Sequence, residues 1–273
     1  MEAGVAAGVP FVASPPPSGR ADAPVVVAWH LLDAPRTEQA LAAALPLAGL
    51  DAWRVYLGLP LSGSRLPAGG PDEVMRLAYE DAVLKLHGPV ATQAAAEFPA
   101  AYAALRDRLG LGAGPLGLVG GSIGAAVAQL VIAEAGLPVA AAVLASPVTE
   151  LAAVVTAMSA RFGVDYSWTD ASRAMAGRLD FVARSGELAA AGEPAVRLVV
   201  GADDDRVGFL DPAERLRAEL AKRYADPDRV DLAVVPGMEH ALAEEPGLEP
   251  APQTPAAAAV DRLAVDWLRR WLA

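Results

Sequence analysis

The sequence predicts an α/β fold with a mostly parallel central sheet flanked by helices. Three observations carry that expectation: short, continuous apolar runs recur along the chain, helical segments separate most of them, and proline and glycine punctuate the helix ends. A strand buried on both faces of a parallel sheet needs no polar alternation, which is why its signature is an unbroken apolar run.

Residues 1–23 are rich in Pro and Gly, with one apolar piece, Val9–Ala13, before Pro15-Pro16-Pro17. An extended or edge element followed by a loop is expected there. Val25–Trp29 is the first buried-strand run, and similar runs follow at Trp53–Leu59, Leu116–Val119, Val139–Ala145, Val196–Val200 and Val230–Val235. Helices are expected at residues 37–48, 72–87, 92–109 and 123–135. The second follows Pro71 and should stop at Gly88; the third and fourth should stop at Gly110 and Gly136. Proline just inside a start and glycine just past an end is the ordinary asymmetry of helices. Asp211-Pro212-Ala213-Glu214 has the form of a capping box, with Asp211 as cap and Glu214 reaching back. At the C-terminus Val260, Leu263, Ala264, Trp267, Leu268 and Trp271 recur at helical spacing, opposite a face of Asp and Arg. Core packing is the expected role of those tryptophans.

One interval breaks the alternation. About fifty residues between the strand ending near Ser146 and the one starting near Val196 have helical character and no strand, long for a single crossover. The expectation is a single domain over 1–273 with a helical cap insertion at 147–194. Its aromatic residues Phe162, Tyr166, Trp168 and Phe181 either line an apolar pocket or pack the insertion onto the body.

The 273 residues are 54% apolar and 20% charged, enough for a sizeable core. A formal net charge of −11 argues against nucleic acid and against an anionic membrane surface as partners. The absence of cysteine excludes disulfides, thiolate nucleophiles and thiolate metal sites, and His30, His87 and His240 alone leave little material for a metal centre. The N-terminus lacks the basic start and apolar core of a signal peptide, and no apolar stretch is long enough to span a bilayer. A cytoplasmic protein is expected, its oligomeric state open.

Gly120-Gly121-Ser122-Ile123-Gly124 is the most informative segment. It closes an apolar run and opens an Ala-rich helix, so Gly-x-Ser-x-Gly sits on a strand-to-helix turn that holds a serine hydroxyl out as a nucleophile. A Cβ at Gly120 or Gly124 would collide across so sharp a turn. A serine hydroxyl needs a base to take its proton, and the base needs a third group to fix its tautomer. Downstream, Val196–Val200 runs into Gly201-Ala202-Asp203-Asp204-Asp205, and Val230–Val235 runs into Pro236-Gly237-Met238-Glu239-His240. An acidic cluster and a histidine thus each follow a strand, in the order nucleophile, acid, histidine.

From the Val25 strand to the C-terminal helix the chain resembles serine esterases of the α/β-hydrolase fold. The family's Gly-x-x-Asp-x-x-Val segment maps onto Gly201, Asp204 and Val207, so the resemblance implies Asp204 as the acid, with Asp203 as alternative. Its Gly-x-x-His segment implies His240 as the base. The oxyanion hole implied by the family takes the N–H of Ile123 and one from the loop after the Val25 strand. Where the family commonly has His-Gly-x, this chain has His30-Leu31-Leu32, so the second donor is the N–H of Leu32, with Leu31 possible. His30 is expected to brace that loop, and His87 to lie at a helix C-terminus where its charged form suits the dipole.

Gly112-Ala113-Gly114-Pro115-Leu116-Gly117 matches the dinucleotide pattern but precedes a strand instead of following one, and is set aside. No Gly-Lys-Ser/Thr of a P-loop occurs. The reaction implied is hydrolysis of an ester or related small acyl substrate, with no metal or organic cofactor. Thioesterase, peptidase or lactonase chemistry needs the same residues, and a non-catalytic binding protein on the same fold is the alternative from another class.

Overall fold

The computed structural model describes residues 1–273. Strands β1 (Glu2–Ala6) and β2 (Val9–Ser14) form a hairpin through Ala7 and Gly8, both at positive φ, the backbone that a two-residue hairpin turn requires. They are followed by β3 (Val25–Trp29), α1 (Glu38–Ala44), β4 (Trp53–Leu57), α2 (Gly70–Asp81), α3 (Gly88–Leu109), β5 (Leu116–Gly121), α4 (Ile123–Glu134) and β6 (Val139–Ala145). Helices α5 (Leu151–Phe162), α6 (Asp170–Arg178) and α7 (Ser185–Ala190) lead to β7 (Ala195–Gly201), α8 (Asp211–Arg223), β8 (Val230–Val235) and α9 (Pro255–Trp271). The eight strands form one sheet in the order β1-β2-β4-β3-β5-β6-β7-β8. The β1·β2 and β2·β4 pairs are antiparallel and all others parallel. No helix is long and apolar enough to cross a membrane.

All five residues of β3 are buried, as its apolar run requires. Side chains alternate across the strand, so Val25, Val27 and Trp29 join the core on the face covered by α3 and α4, and Val26 and Ala28 join the other, under α1 and α9. Trp29 meets Phe98 of α3 edge-on, ring centroids 5.1 Å apart. Helix α4 is buried from Ile123 through Ile132. Its one polar residue there, Gln129, donates to the Ala125 and Val148 carbonyls and so ties the helix to the chain leaving β6. On the opposite face Trp267 of α9 is buried, donates its indole N–H to the Ala195 carbonyl at 3.1 Å, and lies under the Arg197 guanidinium.

The strands agree with the apolar runs, with local differences. β1 lacks an apolar run because it is an edge strand with an exposed face. The Trp53 run ends as a strand at Leu57, because the Leu59 N–H is taken by His30 instead of by a neighbouring strand. Helix 72–87 does not stop at Gly88. It breaks at Asp81, whose backbone is extended and whose carboxylate caps the N–H groups of Val83 and Leu84. A π-helical turn over Ala82–His87 then feeds straight into α3, since Gly88 is right-handed helical. The Asp211 capping box also does not form. The chain is already helical at Leu210, and Asp205 caps one turn earlier by accepting from the Gly208 N–H at 2.7 Å. Asp211 and Glu214 instead pair with Arg206.

Between β6 and β7 the chain carries three helices and no strand. α5 packs on the π-helical turn Arg206–Leu210 after β7, α6 on the one at 82–87, and α7 on α4 and α8. The four aromatic residues do not share one pocket: Phe181 is in the core and Phe162 is exposed. Tyr166 packs on Trp168 and donates its hydroxyl to Asp81 at 2.6 Å.

Trp267→Ala removes a buried indole, its hydrogen bond and its contact with Arg197. It is expected to cost about 3–5 kcal/mol of unfolding free energy, measured by urea denaturation. A loss below about 1 kcal/mol would mean that α9 contributes little to that face of the core.

Candidate active site

Ser122 follows the last residue of β5 and precedes the first of α4. Its φ of 49° and ψ of −114° place a non-glycine residue in a region that costs about 1–3 kcal/mol. Three backbone bonds hold it there: its N–H donates to the Ala145 carbonyl, and its carbonyl accepts from Ala125 and Val148. The glycines fit two different constraints. A Cβ on Gly120 would overlap the Gly124 carbonyl oxygen and Ala125, across the turn itself. A Cβ on Gly124 would meet the carbonyls of Trp29 and His30 at 2.5 Å, so this glycine lets α4 approach the end of β3.

His240 lies on the loop after β8, and its Nε2 is 2.9 Å from the Ser122 hydroxyl oxygen. Its Nδ1 is 3.0 and 3.2 Å from the two carboxylate oxygens of Asp204, whose side chain is only 2% exposed on the turn after β7. A carboxylate only accepts, so Nδ1 carries the hydrogen and Nε2 presents its lone pair to the serine O–H. Asp204 also accepts the Asp205 N–H at 2.8 Å. Asp203 is exposed and makes no side-chain hydrogen bond to the protein, so of the two candidate acids the structure brings Asp204 to the histidine. Phe209, which no sequence motif marks, packs its ring on the imidazole at a centroid distance of 4.2 Å.

The loop after β3 closes the site. His30 is fully buried, donating from Nδ1 to the Leu31 carbonyl at 2.6 Å and accepting the Leu59 N–H at Nε2 at 3.1 Å. This is the bracing expected of it, and burial pushes its pKa down to about 4, so it stays neutral. Of the two N–H groups left open by the sequence, that of Leu31 donates to the Pro35 carbonyl. The Leu32 N–H donates to no protein group, while its carbonyl is held by Arg36 at 2.8 Å. Ile123 is the first residue of α4, where an N–H has no carbonyl one turn back to bond to.

Two residues depart from expectation or escaped it. His87 is not a charged cap at a helix C-terminus. It is 8% exposed, with both ring nitrogens buried and unpartnered, and burial lowers its pKa to about 4, so the dipole has no imidazolium to meet. Asp33, one residue beyond Leu32, brings Oδ2 to 3.7 Å from His240 Nε2. Only its place in the loop after β3 could have signalled it.

Ser122, Asp204, His240 and the His30–Asp33 loop gather at the C-terminal ends of β3, β5, β7 and β8. The order β4-β3-β5 places β3 and β5 side by side where the chain switches direction across the sheet, which is where open α/β sheets bind their ligands. No protein-family model and no curated protein matches the chain. Solved structures do match over nearly its whole length. TT1662 from Thermus thermophilus superposes with a TM-score of 0.66 at 22% identity, covering 99% of this chain and 97% of that one. Esterase PE8 gives 0.58 at 21%, covering 96% and 98%.

The chain has an α/β-hydrolase fold. A puromycin-hydrolyzing peptidase of Mycobacterium tuberculosis also matches, with a TM-score of 0.64 at 18% identity, over all of this chain and 40% of that one.

Burial of His30 and His87 has a consequence for stability. Unfolded, each imidazole would protonate near 6.5; folded, it resists until about 4. The unfolded chain therefore binds more protons in that window, and stability falls as pH drops from 6.5 through 4, by something of order 3 kcal/mol for each group. His87→Phe is expected to flatten the dependence of unfolding free energy on pH between 6.5 and 4. An unchanged slope would show that His87 protonates alike in both states.

Proposed function

We propose that this protein is a serine hydrolase that cleaves an ester or related acyl substrate through an acyl-enzyme. The observation that carries the reading is the single chain of contacts from Ser122 Oγ through His240 to the buried Asp204. The esterases and peptidase among the proteins sharing its fold point the same way.

In this reading His240 Nε2 takes the hydroxyl proton as Ser122 Oγ attacks the carbonyl carbon. Asp204 holds the imidazole in the tautomer that can accept it and stabilises the imidazolium that forms. Negative charge then develops on the carbonyl oxygen. The N–H groups of Ile123 and Leu32 are the donors proposed to receive it, together with the positive end of α4. The imidazolium returns its proton to the leaving oxygen or nitrogen as the bond to it breaks. Water, deprotonated by His240, attacks the acyl-enzyme by the same path and frees Ser122. Phe209 against the imidazole restricts the ring and keeps water from that face. Thioesters, amides and lactones can be cleaved by the same steps.

A fluorophosphonate probe is expected to label the wild type and not Ser122→Ala; equal labelling would place the nucleophile elsewhere. His240→Ala should lower kcat for short-chain aryl esters by roughly a million-fold. Full turnover by His240→Ala would remove it as the base.

A further inference from the structure

Gln129 is the one polar side chain in the buried run of α4 from Ile123 to Ile132, and it is fully buried. Its Nε2 is 3.0 Å from the Ala125 carbonyl oxygen and 3.1 Å from that of Val148. Carbonyls only accept, so the NH2 end of the amide faces them, with one hydrogen for each. The same two residues hold the nucleophile by their N–H groups. The Ala125 N–H donates to the Ser122 carbonyl at 3.0 Å, and the Val148 N–H donates to it at 3.2 Å. Ala125 and Val148 thus each give an N–H to Ser122 and a carbonyl to Gln129. The Ser122 carbonyl, the first turn of α4 and the chain leaving β6 are closed into one ring of bonds.

What that ring fixes is a direction. The Ser122 carbonyl and the Ile123 N–H belong to one trans peptide unit, in which the two bonds point opposite ways. A carbonyl held by two donors therefore fixes where the Ile123 N–H points, and that N–H is one of the two oxyanion donors proposed above. Burying an amide costs more than burying an apolar side chain of the same length, and Gln129 Oε1 meets no protein donor. Methionine would fill the same space without that cost, so packing alone does not account for an amide here.

We propose that Gln129 is a positioning residue for the hydrolytic reaction, locking the Ser122–Ile123 peptide so that the Ile123 N–H is aimed before charge develops on the substrate. It touches neither the substrate nor the reacting atoms and acts through Ala125 and Val148. A peptide free to rotate still leaves a serine able to attack, but it stabilises the oxyanion less. The loss therefore falls on kcat, with substrate binding little changed. The proposal rests on Ser122 as the nucleophile.

The test is Gln129→Met, which keeps the length of the side chain and removes both donors. Fluorophosphonate titration counts the competent sites, so kcat for p-nitrophenyl acetate is expressed per labelled serine and unfolded protein drops out. That kcat is expected to fall at least about tenfold, short of the roughly hundred- to thousand-fold that follows outright removal of an oxyanion donor, with KM within about twofold. Ethyl trifluoromethyl ketone supplies a readout that partial unfolding does not move. Ser122 Oγ adds to its carbonyl carbon, the hydroxyl proton passes to His240, and the former carbonyl oxygen is left as an oxyanion. Its inhibition constant should rise by the same factor as kcat/KM falls. An inhibition constant that stays where it was overturns the proposal whatever happens to kcat, because Gln129 then acts on something other than the oxyanion. Should Gln129→Met fail to fold, Gln129→Asn, which keeps a donor but shortens its reach, carries the same comparison and the same two outcomes. Fluorophosphonate labelling that persists in Ser122→Ala overturns the nucleophile instead.

Discussion

The architecture of the site depends on one bent residue. Ser122 is held with its backbone in a conformation that a side chain resists, between the last glycine of β5 and the first turn of α4. That bend is possible only because neither Gly120 nor Gly124 carries a Cβ, the first for want of room against α4 and the second for want of room against β3. The resulting closeness of α4 to the end of β3 also brings the Ile123 N–H and the β3 loop to the same place. The local strain is offset by a helix buried along most of its length and by bonds to both sides of Ser122 from the end of β6 and the chain just after it. A core of this kind deforms reluctantly, so the hydroxyl is fixed before any substrate arrives.

Around that point the polarity is arranged by burial. Asp204 is nearly inaccessible and has two donors, the imidazole and a backbone N–H, so it remains an acceptor that orients its neighbour. His30 is also buried but has both nitrogens satisfied within the loop, and it serves as a pin. His87 shares the burial without the partners. Three histidines in one chain thus take three states decided by what each nitrogen meets: one open to the reacting group, one saturated, one unpartnered.

Much of this was legible in the residues. The buried strands announced themselves as apolar runs, and the bend by its glycines. The motifs that follow β7 and β8 mark Asp204 and His240, which the structure brings to Ser122. What the sequence did not reveal depends on approach in space. Phe209 reaches His240 only because the chain turns through a π-helical segment after Asp205. Asp33 is one acid among many until the β3 and β8 loops are seen side by side. The break at Asp81 was masked because the residues after it are good helix formers, and only the capping carboxylate marks a new start. The expectation for His87 fails for the same reason, since a helix end in sequence becomes the interior of a continuous helical path in space.

The loop after β3 and the loop that carries His240 are joined more closely than their separation in the chain implies. The Ala34 carbonyl accepts from Leu242 and Ala243, Arg36 donates its backbone N–H to Gly247, and its guanidinium grips Glu245 and the Leu32 and Pro246 carbonyls. The two loops therefore behave mechanically as one jaw. Whatever shifts the imidazole also shifts the Leu32 amide and the Asp33 carboxylate, so the spacing among all three is preserved as the jaw moves. Variation that reshapes the cleft for a different molecule has more freedom in the helices between β6 and β7 than in either half of this clasp.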